Sequence, residues 1–93
     1  MILELATIDI KPLTNEDFLQ ALEQAKGVIS KAKGFIRIEV KTCIEQPNRY
    51  VLLIYWETLE DHTVGFRESE LFKEWRALIG PFFENPPFVQ HYR

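Results

Sequence analysis

One stretch limits what this chain can fold into more than any other. Tyr50-Val51-Leu52-Leu53-Ile54-Tyr55-Trp56 is an unbroken apolar and aromatic run, with turn residues before it and Glu57-Thr58 after it. A short run of this kind reads as a strand buried on both faces. A domain built from one sheet and one layer of helices covers only one face of that sheet. The other face needs a separate cover, and the expected cover is a second copy of the chain.

The chain has 93 residues, enough for a single domain over 1–93. A domain this small buries only about 60–65% of the surface it exposes when unfolded, so its own stability is marginal. Its hydrophobic content of 46% and aromatic content of 13% are ample for a core plus an apolar face against a partner. Eleven basic against fourteen acidic residues leave a net charge of -3, which argues against phosphate-backbone binding and hence against nucleic acid. The densest basic cluster, Lys26, Lys31, Lys33 and Arg37, has acids close by and reads as a solvated helix end. With one cysteine, Cys43, no internal disulfide forms, whereas a secreted domain of this size usually has one. The opening Met1-Ile2-Leu3-Glu4-Leu5 lacks the basic start of a signal peptide, and no apolar run reaches membrane-spanning length. A cytoplasmic location without membrane contact is the expectation.

Periodicity assigns the remaining elements. Residues 2–10 form a first strand with apolar groups on both parities. Thr14 stands as an N-cap, with Glu16 and Asp17 in the favourable first turn. Phe18, Leu22, Ala25, Ile29 and Ala32 then recur at helical spacing, and Gly34 stands near the helix end. Over residues 35–45, Ile36, Ile38, Val40, Thr42 and Ile44 alternate with Arg37, Glu39, Lys41 and Glu45, the pattern of an edge strand with one wet face. Gln46-Pro47-Asn48 turns the chain into the apolar run. Thr58 caps a second helix that Gly65 weakens and Ser69 restarts, with Leu71, Phe72, Trp75, Leu78 and Ile79 as its stripe. Gly80-Pro81 ends it, and residues 88–92 form a short last strand. The order βαββαβ is the α+β, ferredoxin-like pattern with an antiparallel four-stranded sheet. Right-handed crossovers put the first and third strands in its middle, and these are the two strands that are apolar on both faces.

Tyr50 to Trp56 with Glu57-Thr58, Phe66-Arg67-Glu68-Ser69-Glu70-Leu71-Phe72 and Pro87-Phe88-Val89-Gln90-His91-Tyr92 resemble the antibiotic biosynthesis monooxygenase family. The opening Ala6-Thr7-Ile8-Asp9-Ile10-Lys11-Pro12 resembles its first strand. The resemblance implies a dimeric α+β barrel, two sheets face to face with helices outside. It also implies a candidate activity: a cofactor-independent monooxygenase acting, as a homodimer, on a small phenol or quinol. The chain departs from the family where many members carry a histidine three residues before the serine, a position that is Phe66 here. It also departs from the haem-degrading branch, whose ligating histidine is Arg76 here and whose first-strand asparagine is matched by Ala6. Haem degradation is not expected.

His62, Phe66 and Ser69 lie four and three apart and share a face if the helix is continuous. His62 is then the candidate catalytic base, since imidazole titrates near neutral pH. It reads also as a surface residue in an acidic helix start, beside Glu60 and Asp61. Phe66, Ser69, Phe72, Trp75 and Tyr92 are the candidate pocket residues, although Ser69 also suits a helix cap. His91 and Tyr92 point to opposite faces of the last strand, toward a pocket or a subunit seam. No spacing fits a metal site, so no metal or other cofactor is expected. The competing reading is a non-catalytic dimeric module that binds a small apolar ligand or acts in a stress response; a filled interior beside His62 would favour it.

Overall fold

The computed structural model describes residues 1–93. Strands β1 (Ile2–Asp9), β2 (Phe35–Thr42), β3 (Arg49–Trp56) and β4 (Phe88–Tyr92) form one antiparallel sheet in the order β2-β3-β1-β4. Helices α1 (Asn15–Ile29) and α2 (Glu70–Ile79) pack against each other over one face. The crossovers thus leave β1 and β3 central, as their apolar composition requires. Ala6, Ile8, Tyr50, Leu52, Ile54 and Trp56 point to the helices and are buried. Phe18, Leu22, Ala25 and Ile29 of α1 close over them.

The far side of the sheet has no helix. Leu5 stands opposite Leu53, and Thr7 opposite Val51, with Leu3 and Tyr55 continuing the row. These residues are only half-buried, while Phe88 and Tyr92 on β4 are exposed. On the β2 edge Arg37 covers the Tyr55 ring at 4.2 Å.

Three local expectations change. Thr14 begins α1, but its hydroxyl donates to the Lys11 carbonyl (2.6 Å) and caps nothing. Leu13 takes a left-handed backbone (φ 66°) just before it, which turns the Thr14 side chain back along the chain. The β2 alternation also fails at both ends. A bulge between Phe35 and Arg37 leaves Ile36 unpaired and exposed, so that Phe35 packs edge-on against Trp56 instead. Pairing then ends at Thr42, and Ile44 lies in solvent.

Gly34 makes the turn into β2 with φ +82°, and its carbonyl accepts from the Glu57 amide at 2.8 Å. A side-chain carbon there would collide with the Asp61 carboxylate. Gly34→Ala combines that collision with a left-handed backbone penalty of about 1–2 kcal/mol. Urea denaturation of the variant should show at least that loss; unchanged stability would contradict this role for the turn.

Candidate functional site

The site begins with a carboxylate in an unusual place. Glu4 shares its parity with Ala6 and Ile8, so β1 directs it to the helices, between Ile54 of β3 and His91 of β4. It is 5% exposed. The Trp56 indole N–H donates to Glu4 Oε1 at 2.9 Å. His62 Nε2 approaches the same oxygen at 3.3 Å, a stretched contact. On the other side of the ring, His62 Nδ1 and His91 Nε2 share a hydrogen bond of 2.8 Å. Carboxyl and two imidazoles therefore form one string from the buried sheet centre to β4.

The chain before α2 holds His62 in place. The Thr58 hydroxyl accepts from the Asp61 amide (3.1 Å), as a cap should. Residues Asp61–Phe66 then form a π-helical turn, with the Arg67 amide bonded to the His62 carbonyl five residues back. Such wide turns recur at functional sites because they re-aim side chains. Here the turn buries both His62 and Phe66. The His62 ring stacks on Trp56, 5.4 Å between centres and 20° from parallel. His62 is buried, so its reading as a surface residue fails; the acids Glu60 and Asp61 play no part in its hydrogen bonds or ion pairs.

Burial sets the proton affinities. It pushes the Glu4 carboxyl up to about 7, against the opposing effects of the Trp56 hydrogen bond and the Arg67 charge. Burial first, then Arg67 and His91, push His62 down to about 3, so its imidazole is neutral at physiological pH. Burial and Arg67 also lower His91. Two bonding directions satisfy the string. With Glu4 ionised, His62 Nε2–H faces the carboxylate and Nδ1 accepts from His91. With Glu4 protonated, its O–H faces His62 Nε2, and Nδ1–H donates to His91. One proton can thus move along the string without leaving a charge buried on His62.

Beside the string lies a cavity of about 300 Å³ between sheet and helices, mostly apolar. Glu4, His62, Phe66, Phe72 and Trp75 all line it. The structure brings His62, Phe66, Phe72 and Trp75 together, but not Ser69 or Tyr92. The Ser69 hydroxyl accepts from the Phe72 amide (3.4 Å) and donates to the Phe66 carbonyl (2.7 Å), capping α2. The helix is interrupted there, so the shared face expected of a continuous helix ends at Phe66. Tyr92 points to the uncovered face, opposite Leu3, and donates to Gln90 Oε1 at 2.9 Å. Sequence reasoning missed Glu4 and Arg67. For Glu4 a signal existed, an acid on the buried parity of a central strand. No group of three or more His, Cys, Asp or Glu side chains is arranged to hold a metal.

Comparison with known proteins identifies the family and the fold. The family model for antibiotic biosynthesis monooxygenase matches residues 1–78. The chain belongs to this family. The uncharacterized Bacillus subtilis protein YczJ is 42% identical over 93 residues, covering all of this chain and 98% of that one. A crystal structure from Bordetella bronchiseptica, provisionally named an antibiotic biosynthesis monooxygenase, superposes with a TM-score of 0.96 at 39% identity. It spans 99% of this chain and 94% of its own. SnoaB of Streptomyces nogalater, a cofactor-independent oxygenase, shares the fold at a TM-score of 0.78 and 11% identity, over 99% and 90% of the two chains. The ferredoxin-like α+β architecture is therefore that of the antibiotic biosynthesis monooxygenases. No helix is long and apolar enough to cross a membrane.

The proton affinities make stability depend on pH. From 4.5, the ordinary Glu4 value, up to about 7, the folded chain keeps a proton that the unfolded chain releases. Rising pH therefore lowers stability, by about 3 kcal/mol once above 7. His62 acts oppositely between about 3 and 6.5, where falling pH destabilises the fold. Glu4→Gln removes only the first effect. Its denaturation free energy relative to the parent should rise by about 3 kcal/mol between mildly acidic and mildly alkaline buffer. A difference independent of pH would contradict the assignment.

Proposed function

We propose that this family member is a homodimeric, cofactor-independent oxygenase acting on a small aromatic compound with an acidic hydroxyl, a phenol or quinol. The observation that carries the reading is the apolar cavity with a single carboxyl of near-neutral affinity in its wall, backed by two imidazoles. A general base works best when its pKa lies near the working pH. Glu4 meets that condition; His62, held neutral well below it, does not. The base role expected of His62 therefore passes to Glu4, while His62 orients the carboxylate and hands the proton to His91.

In this mechanism Glu4 removes the hydroxyl proton of the bound phenol. The resulting anion is electron-rich enough to give one electron to dioxygen. Recombination of the radical pair forms a C–O bond at a ring carbon, the peroxide anion takes back the proton held by Glu4, and the hydroperoxide loses water to leave a quinone. A phenol and dioxygen thus give a quinone and water, and atoms and electrons balance. Phe66, Phe72 and Trp75 form the apolar walls that exclude water from the anion. The competing reading, a binding module without chemistry, would be favoured by a filled interior, and the cavity removes that support.

Oxygen uptake with a panel of phenols and quinols tests the proposal. Protein-dependent uptake is expected without flavin or metal, undiminished by a chelator, and rising with pH through about 7 as Glu4 ionises. Glu4→Gln should lower kcat by about 10²–10⁴-fold, with His62→Ala less severe. No protein-dependent uptake, or full activity in Glu4→Gln, would overturn it.

The homodimer reading rests on the uncovered sheet face. Its centre is apolar at Leu5 and Leu53, and its rim carries Arg37, Glu39 and Lys41 on one edge and aromatic Phe88 and Tyr92 on the other. Two such faces can meet through their apolar centres about a twofold axis. Sedimentation should give a dimer at micromolar concentration and a monomer for Leu5→Glu combined with Leu53→Glu. A parent chain that sediments as a monomer would contradict it.

A further inference from the structure

Two cations of the cavity wall have no use in the mechanism above. Arg67 and Arg76 both line the cavity. Arg49 pairs with Asp9, and Arg37 with Glu39. Arg67 and Arg76 have no carboxylate within ion-pair distance. The whole chain is acidic, at -3, yet this cavity is lined by two arginines and one carboxyl. The space is net positive whether or not Glu4 is ionised.

Both arginines are exposed, while Glu4, His62 and Phe66 of the same lining are buried, so the arginines belong to the outer part of the wall. Arg67 acts on the interior: its charge lowers the proton affinity of Glu4, His62 and His91 alike. Arg76 places its guanidinium carbon 5.8 Å from the centre of the Phe72 ring. From there an aromatic wall continues inward. Phe72 meets Phe66 edge-on at 5.4 Å, and Phe66 packs on Trp56 at 5.6 Å, beside Glu4. The wall thus joins exposed cations, apolar and aromatic rings, and a buried proton acceptor. A guanidinium fork matches the two oxygens of a carboxylate, and a ring positioned between apolar walls brings no unpaired polar group with it.

We infer that the cavity is built for an aromatic acid, a ring whose carboxylate is held by Arg67 and Arg76 in the outer wall while a ring hydroxyl faces Glu4. The inference rests on the cavity being the substrate site proposed above and names the class of substrate. Neutral phenols and quinols lack the anionic handle, so they are the poorer ligands. The arginines position the substrate and take no part in proton or electron transfer.

Isothermal titration calorimetry on the full chain tests this with three probes of one shape: 2-naphthoate, its methyl ester and 2-naphthylmethylamine. The acid should bind at least about tenfold more tightly than the ester, as one charge-assisted contact implies, and the amine should bind most weakly. Arg67→Gln with Arg76→Gln should abolish the preference for acid over ester. Both side chains are exposed, so the fold should tolerate the change. Rising salt should erode the same preference in the parent chain, a readout that needs no variant. Absent or equal binding of the acid, or a preference that persists in the double variant, would overturn the inference. Binding needs no turnover. Acid preference without oxygen uptake would leave the inference standing and remove the oxygenase reading. Uptake with neutral quinols and no acid preference would do the reverse.

Discussion

A carboxyl taken out of water in the middle of a sheet is the constraint that the rest of this structure answers. An isolated buried carboxylate is costly, and the group escapes the cost by holding a proton or by gathering donors. Glu4 does both. Trp56 supplies an indole N–H, His62 supplies a ring nitrogen, and the carboxyl's affinity rises to about 7. The π-helical turn at Asp61–Phe66 and the stacking of His62 on Trp56 serve the same end, since they fix the imidazole against the carboxyl.

The fold and the site share their parts. Central strands β1 and β3 provide Glu4 and Trp56, and edge strand β4 provides His91 through its register with Glu4. Helix α2 covers the cavity with Phe72 and Trp75, anchored at its start by Ser69. Stability and the proposed chemistry therefore pull on the same groups. Glutamine in place of Glu4 would make the core easier to bury above neutral pH and would remove the proton acceptor. Under the proposed function, that folding cost is the cost of a reactive group.

Much of the fold was legible in the chain because apolar runs, turn residues and helical spacing agreed. The apolar run Tyr50 to Trp56 identified the central strand, and Ser69 identified the restart of the helix. Thr14 loses its cap to the left-handed turn at Leu13, and Ser69 leaves the pocket where the helix is interrupted; the other failures were matters of register. A bulge moved Phe35 inward and Ile36 outward, which alternation alone cannot show. Tyr92 and His91 are neighbours on one strand, and only pairing with β1 decides that His91 faces Glu4 while Tyr92 faces away. Glu4 escaped notice because an acid in an apolar strand ordinarily lies in solvent. Its role depends on His62 and His91, 58 and 87 positions further along the chain. The aromatic walls Phe66, Phe72 and Trp75 were easier, since large rings on a helix stripe pack inward wherever the helix lies.

The central claim is that the proton in this string resides on Glu4 and not on His62. Carboxyl ¹³C and imidazole ¹⁵N resonances followed through a pH titration measure that directly. Glu4 should titrate with a midpoint near 7, and His62 should remain neutral until the pH approaches about 3. A Glu4 that ionises in the usual carboxylate range, with His62 becoming an imidazolium near its ordinary 6.5, would contradict it.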